Sequence, residues 1–294
     1  MSTAERKPTA ARRRPATGDP PGAPPPLITD IICGIDGTRS AYEAVRQAAF
    51  LAGAEGHLSL LVVTGHQGAG RQEASALAPA RARAVSEYAR KIAREEGVAA
   101  LAEVEDRGPV AEVLLERARE HTLLALGAPS MSRLAHLLIG GVASKAAHEL
   151  PVSLLVARRP RRRQGHVAST LVVASDASER SGALVEIAAG IASARGLSLV
   201  LMHAVHGEST RHPTRIAAQA ARAKELMGAE VEVCVMPGHP AAAIVECARQ
   251  SGATLALLGS RRTRGLRSLG SVSERVIYDA DCSVLVLRPE DMRR

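Results

Sequence analysis

Two aspartates stand at matching places in this 294-residue chain, each at the end of a short apolar run. Asp36 closes Ile31-Ile32-Cys33-Gly34-Ile35 and precedes Gly37-Thr38-Arg39-Ser40; Asp176 closes Leu171-Val172-Val173-Ala174-Ser175 and precedes Ala177-Ser178. A carboxylate there can accept hydrogen bonds from a ribose or an adenine. It can equally close the turn that follows a strand, a use Asp favours without any ligand. Later in the chain Arg261, Arg262, Arg264 and Arg267 crowd one loop. Their forked donors suit phosphate, and a solvated surface loop is the alternative.

Other reactive side chains offer less. His203 and His206 flank Ala204-Val205 near the end of an apolar run. A metal would need further ligands in ordered geometry, so His203 reads as a packed residue whose ring nitrogens find local partners. Cys33, Cys234, Cys247 and Cys282 form no C-x-x-C pair, which indicates neither a zinc site nor a redox motif. Three of them fall in predicted strands, where a thiol acts as a small apolar group. There is no Gly-x4-Gly-Lys-Ser/Thr, no Gly-x-Gly-x-x-Gly and no Gly-x-Ser-x-Gly elbow. Nothing sets a nucleophile beside a base, so the sequence gives catalysis no support.

The elements that must position these residues repeat. After each Asp run a helix begins, with Thr38 or Ser178 as its N-cap. A second strand follows at 58–64 and 197–203, then a helix, then a third strand at 100–104 and 231–235. Gly108-Pro109-Val110-Ala111 matches Gly238-His239-Pro240-Ala241 at the next helix start, where Pro is favoured because its missing N–H would be unpaired. The fourth strands are 122–126 and 254–258, ending at Gly127 and Gly259, and the fifth are 152–156 and 283–287. Order, spacing and local chemistry agree, so the chain is an internal duplication. Nearly continuous apolar strands alternating with helices imply parallel sheets covered on both faces, hence an α/β fold of two tandem doubly wound five-stranded domains. The expected division is a disordered basic, Pro-rich extension 1–27, a first domain 28–157, a basic linker 158–168 and a second domain 169–290. Open fifth strands would invite association, so the two domains are expected to join there as a pseudo-dimer within one chain.

At these residues the chain resembles the universal stress protein family in its tandem form. The resemblance rests on Asp36-Gly37-Thr38, on the Gly108-Pro109 helix start and on Gly270-Ser271-Val272-Ser273-Glu274-Arg275-Val276. It implies a flavodoxin-like or Rossmann-like sheet, a cytoplasmic location, dimer-like pairing with further homo-oligomerisation open and, in one branch, ATP binding through Gly, two residues, Gly, nine residues, Gly and Ser or Thr. In such a motif the first Gly lets backbone approach the nucleotide, and the final Gly-Ser opens a helix whose N–H groups and dipole hold phosphate. Both copies depart from it. In the first, Gly127 and Gly140 keep the spacing, Ser130 stands at the second Gly and Gly141 at the hydroxyl position. In the second, Gly259 is followed by Arg262 at the second Gly, only seven residues then lead to Gly270, and Ser271 keeps the hydroxyl. A left-handed backbone at Ser130 or Arg262 would cost about 1–2 kcal/mol. The nucleotide reading therefore rests on Asp36, Gly37, Gly127, Ser130, Gly140 and Gly141 in one half, and on Asp176, Gly259, Gly270 and Ser271 in the other.

Charge narrows the classes further. The net charge is +8. Residues 1–27 carry five cations and two acids, and residues 158–166 carry five arginines, so these two stretches hold all of it. The domains themselves are formally neutral and almost without aromatic residues, which argues against a nucleic-acid platform. No apolar run reaches the length of a membrane span, and no apolar stretch follows the N-terminal charges as in a signal peptide. Three functions remain: an adenine-nucleotide-binding stress regulator, a protein-interaction module of the same fold without nucleotide, and a weak nucleotide hydrolase.

Overall fold

Short apolar runs form the strands, and segments with apolar residues three and four apart form the helices. The computed structural model describes residues 28–64, 79–105, 108–128, 152–159, 169–207, 212–260 and 270–288. The extension 1–27 and linker residues 160–168 lie outside the described residues. The first half runs β1 (Asp30–Gly34), α1 (Arg39–Ala52), β2 (His57–Val63), α2 (Pro79–Glu95), β3 (Ala100–Glu105), α3 (Val110–Ala118), β4 (Leu123–Gly127) and β5 (Ser153–Ala157). The second runs β6 (Thr170–Ser175), α4 (Glu179–Arg195), β7 (Ser198–Val205), α5 (Pro213–Met227), β8 (Val231–Pro237), α6 (Pro240–Gln250), β9 (Leu255–Gly259), α7 (Ser271–Asp279) and β10 (Ser283–Leu287).

All these strands join in one sheet, in the order β3-β2-β1-β4-β5-β10-β9-β6-β7-β8. Pairing is parallel within each half. The halves meet where β5 and β10 pair antiparallel, with Val156 opposite Val284 and Leu155 opposite Leu285. The fifth strands therefore do join the two domains, and the two parallel sheets fuse into one mixed sheet. Helices α1, α2, α4 and α5 cover one face and α3, α6 and α7 the other. The Arg195 guanidinium at the end of α4 donates to the Leu51 carbonyl of α1 at 2.9 Å, tying the halves across the first face.

The caps form as the residue types predict. Thr38 Oγ1 accepts the Ala41 N–H and Ser178 Oγ accepts the Ser181 N–H, both at 3.2 Å. Pro240 occupies the first turn of α6, whereas Pro109 is the N-cap of α3. One expectation is corrected. Cys33 and Cys234 lie in β1 and β8, but Cys282 sits in the bend before β10, because pairing starts only at Ser283. Arg158, the first residue of the expected linker, packs against both halves. Its carbonyl accepts from Gln47 Nε2 at 3.0 Å, and its guanidinium is folded inward to donate to the Ile277 carbonyl near the end of α7. Burial lowers its pKa, while a helix C-terminus favours the cation.

Candidate functional site

Strand order reverses between β6 and β9 in the second half, and the crevice at their carboxyl ends is where doubly wound folds bind ligands. A cleft of about 640 Å³ opens there. Its floor is apolar, from Met202 and Ala204 of β7, Leu258 of β9 and Ile244 of α6. Its rim is polar, with Asp176 and Ser178 on one side and Gly270 to Ser273 on another. Gly270 is the N-cap of α7 and has no side chain to satisfy the first N–H groups, unlike Thr38 and Ser178 in α1 and α4. The Ser273 hydroxyl donates to the Gly259 carbonyl at 3.2 Å and ties this helix start to the end of β9. The arrangement can take a flat, partly apolar ring on the floor and an anion at the helix start, with the dipole favouring the anion.

Beneath Asp176 lies a polar network that sequence reasoning missed. Ser175 Oγ donates to Gln219 Oε1 at 2.6 Å and lies 2.9 Å from Ser181 Oγ. Gln219 Nε2 donates to the Ser178 carbonyl at 3.0 Å, and Ser175 Oγ accepts the Ala177 N–H at 3.0 Å. His203 is buried with Nδ1 at 2.9 Å from the Ser175 carbonyl. A carbonyl only accepts, so Nδ1 carries the proton. The corresponding residues of the first half are Ile35, Ala41 and Val62, all buried and apolar. The sequence showed Ser175 where the other repeat has Ile35, but matching 58–64 with 197–203 set His203 against Thr64; only the strand register sets it at Val62.

Asp36 and Asp176 occupy equivalent turns. The Asp36 carboxylate accepts the Thr38 N–H at 2.9 Å, and that of Asp176 accepts the Ser178 N–H at 3.1 Å. Each thus performs the turn-closing role, and each remains exposed at its strand end. Gly37 adopts φ +81°, and a Cβ there would lie 2.8 Å from Val85 Cγ2 of α2. The structure gives Gly127 a reason other than ligand approach. A Cβ on Gly127 would collide with backbone atoms of Ser40 and Ala41, so glycine lets the start of α1 press on β4. Ser130, Gly140 and Gly141 lie outside the described residues, as do Arg261, Arg262, Arg264 and Arg267. The structure thus brings Asp176, Gly259, Gly270 and Ser271 together in one cleft, and places Asp36, Gly37 and Gly127 at the matching end of the first half. Among the described residues no cluster of His, Cys, Asp or Glu could hold a metal, and no helix is long and apolar enough to cross a membrane.

A duplicated, parallel α/β sheet with a ligand-sized cleft at a switch point defines a tandem doubly wound α/β protein. The comparisons give the family. The Universal stress protein family matches residues 28–158 and again 168–288, and the chain belongs to it. A universal stress protein from Thermus aquaticus is 31% identical over 134 residues, covering 40% of this chain and 98% of that protein. Among solved structures, a universal stress protein from Archaeoglobus fulgidus is 19% identical, with 89% of this chain and 97% of that one covered at a TM-score of 0.65. A functionally unknown protein from Pseudomonas aeruginosa is 18% identical, covering 91% and 95% at a TM-score of 0.66. These two likenesses extend the shared fold over both halves.

Proposed function

We propose that the cleft of the second half binds an adenine nucleotide and that the chain acts as a nucleotide-responsive stress regulator, not as an enzyme. The observation that carries this reading is the cleft itself: Asp176 and the α7 start, capped by a residue without a side chain, line one cavity over an apolar floor. Adenine would lie on Met202, Ala204, Ile244 and Leu258, ribose near Asp176, and phosphates at Gly270-Ser271. The first half is the weaker site, because Gly127 is committed to α1 and Gly141 offers no hydroxyl. Denaturing the purified full chain and identifying released small molecules by mass spectrometry should yield ATP or ADP. In titration calorimetry Ser271→Ala and Asp176→Ala should each weaken ATP binding about tenfold, the size of one lost charge-assisted hydrogen bond.

The second reading is a protein-interaction module without nucleotide. It is favoured by the two aspartates, whose carboxylates are already engaged in their own turns. No released nucleotide and no heat on ATP addition would support that module and overturn the first reading. Steady release of inorganic phosphate from ATP, lost in Asp36→Ala, would instead support the hydrolase.

A further inference from the structure

At the outer edge of the first half, Glu103 of β3 and Arg117 of α3 form an ion pair. The repeat sets Cys234 of β8 where Glu103 stands and Cys247 of α6 where Arg117 stands. Each strand residue is fourth in its strand and each helix residue eighth in its helix. The same two positions face each other in both halves, once as an ion pair and once as two thiols. In the second half Cys234 packs against the apolar cluster that contains Cys247, close enough for the two thiols to influence each other's ionisation. Cys247 is buried, whereas Cys234 is only partly covered and lies on the open edge strand between exposed Val233 and Val235. An oxidant approaching that edge meets Cys234 first.

We propose that Cys234 and Cys247 are a modification site, a thiol pair that peroxide converts reversibly to a disulfide. The Cys234 sulfur attacks hydrogen peroxide. An S–O bond forms, the O–O bond breaks, and hydroxide leaves and takes up the thiol proton as water. Cys247 sulfur then attacks the sulfenic sulfur; the S–S bond forms, the S–O bond breaks, and a second water leaves with the Cys247 proton. In sum two thiols and one peroxide give one disulfide and two waters, the sulfurs losing two electrons and the peroxide oxygens gaining them. Burial and the neighbouring Cys234 raise the Cys247 pKa, so the second step is the slow one. The bond ties the edge strand to α6, whose Pro240 and Ile244 wall the cleft, and closes a loop between 234 and 247 that also constrains the unfolded chain. The proposal holds whether or not that cleft binds nucleotide.

The test uses the full chain. It is exposed to graded hydrogen peroxide, its remaining thiols are alkylated, and it is digested without reduction for mass spectrometry. Titratable thiols should fall from the four free cysteines to two, and a peptide pair linked through Cys234 and Cys247 should appear. Dithiothreitol should restore all four. The oxidised chain should melt a few degrees higher, as expected for a newly closed loop. In Cys247→Ala, peroxide should leave a sulfenic acid on Cys234 that dimedone traps, and no linked pair. The proposal is overturned if Cys234 proceeds to sulfinic acid while Cys247 still alkylates, if Cys234 links two chains, or if both thiols survive peroxide in the native chain.

Discussion

Gly37 and Ala177 hold the same turn in the two repeats, both at positive φ: +81° for Gly37 and 61° for Ala177. For alanine that conformation costs about 1 kcal/mol. The second half tolerates the methyl group, which is buried; the first cannot, because Val85 would lie 2.8 Å from it. Gly37→Ala should therefore destabilise by about 2–3 kcal/mol, adding strain to overpacking. Ala177→Gly should change stability by less than about 1 kcal/mol, because relief of strain offsets a lost buried methyl. Urea midpoints of the two variants check this, and equal shifts would refute it. A second residue-scale prediction concerns pH. Burial pushes the Cys282 thiol from 9.0 up to about 11, against an opposing pull from Arg158. A folded pKa above the unfolded one means that the associated stability is fully present below pH 9 and is lost as pH rises toward 11. By linkage the loss is of order 2 kcal/mol. The difference in unfolding free energy between the native chain and Cys282→Ala should narrow by that amount between pH 8 and pH 11.

At the scale of elements, the close approach of α1 to β4 rests on one missing side chain. Gly127→Ala would drive Cβ into the Ser40–Ala41 backbone, and a helix start cannot yield as a side-chain tip can. Its melting temperature should fall by several degrees, about 2–3 kcal/mol in free energy. Little change would mean that α1 shifts freely. The elements themselves were legible in the sequence, because apolar runs and caps are local signals. Their ends were not always so: Thr122 reads as the first residue of a strand, but its N–H and hydroxyl both bond the Asp30 carbonyl, at 3.1 and 2.6 Å, and β4 starts one residue later. The Asp176 turn and the Gly270-Ser271 helix start, which line one cleft, were legible as a strand end and a helix start for the same local reason. The network under Asp176 was not, because Gln219 reaches it from α5, far along the chain. Gly127 reads in the sequence as a point of backbone approach to nucleotide, and its packing against α1 emerges only once that helix is placed against β4.

The whole molecule is held together by a pseudo-two-fold arrangement at the β5–β10 junction. Antiparallel pairing sets the start of each strand beside the end of the other. A serine begins each strand and an arginine follows each: Ser153 and Arg158, Ser283 and Arg288. Ser283 Oγ accepts the Arg158 N–H at 2.9 Å and donates to the Arg158 carbonyl at 3.2 Å. Ser153 Oγ accepts the Arg288 N–H at 3.2 Å. Both serines are buried and the arginine backbone they bond is part-buried, so removing either hydroxyl should cost about 1 kcal/mol. Ser283→Ala loses both an acceptor and a donor for Arg158 and should show a clear loss of stability. The sites lie at opposite ends of a five-residue strand pair, so the double variant should show nearly the sum of the single effects. One fused sheet also predicts one cooperative unfolding transition for the native chain. Urea unfolding followed by circular dichroism tests both points. Two separate transitions in the native chain would show that the junction does not couple the halves, and a harmless Ser283→Ala would show that water satisfies Arg158 instead.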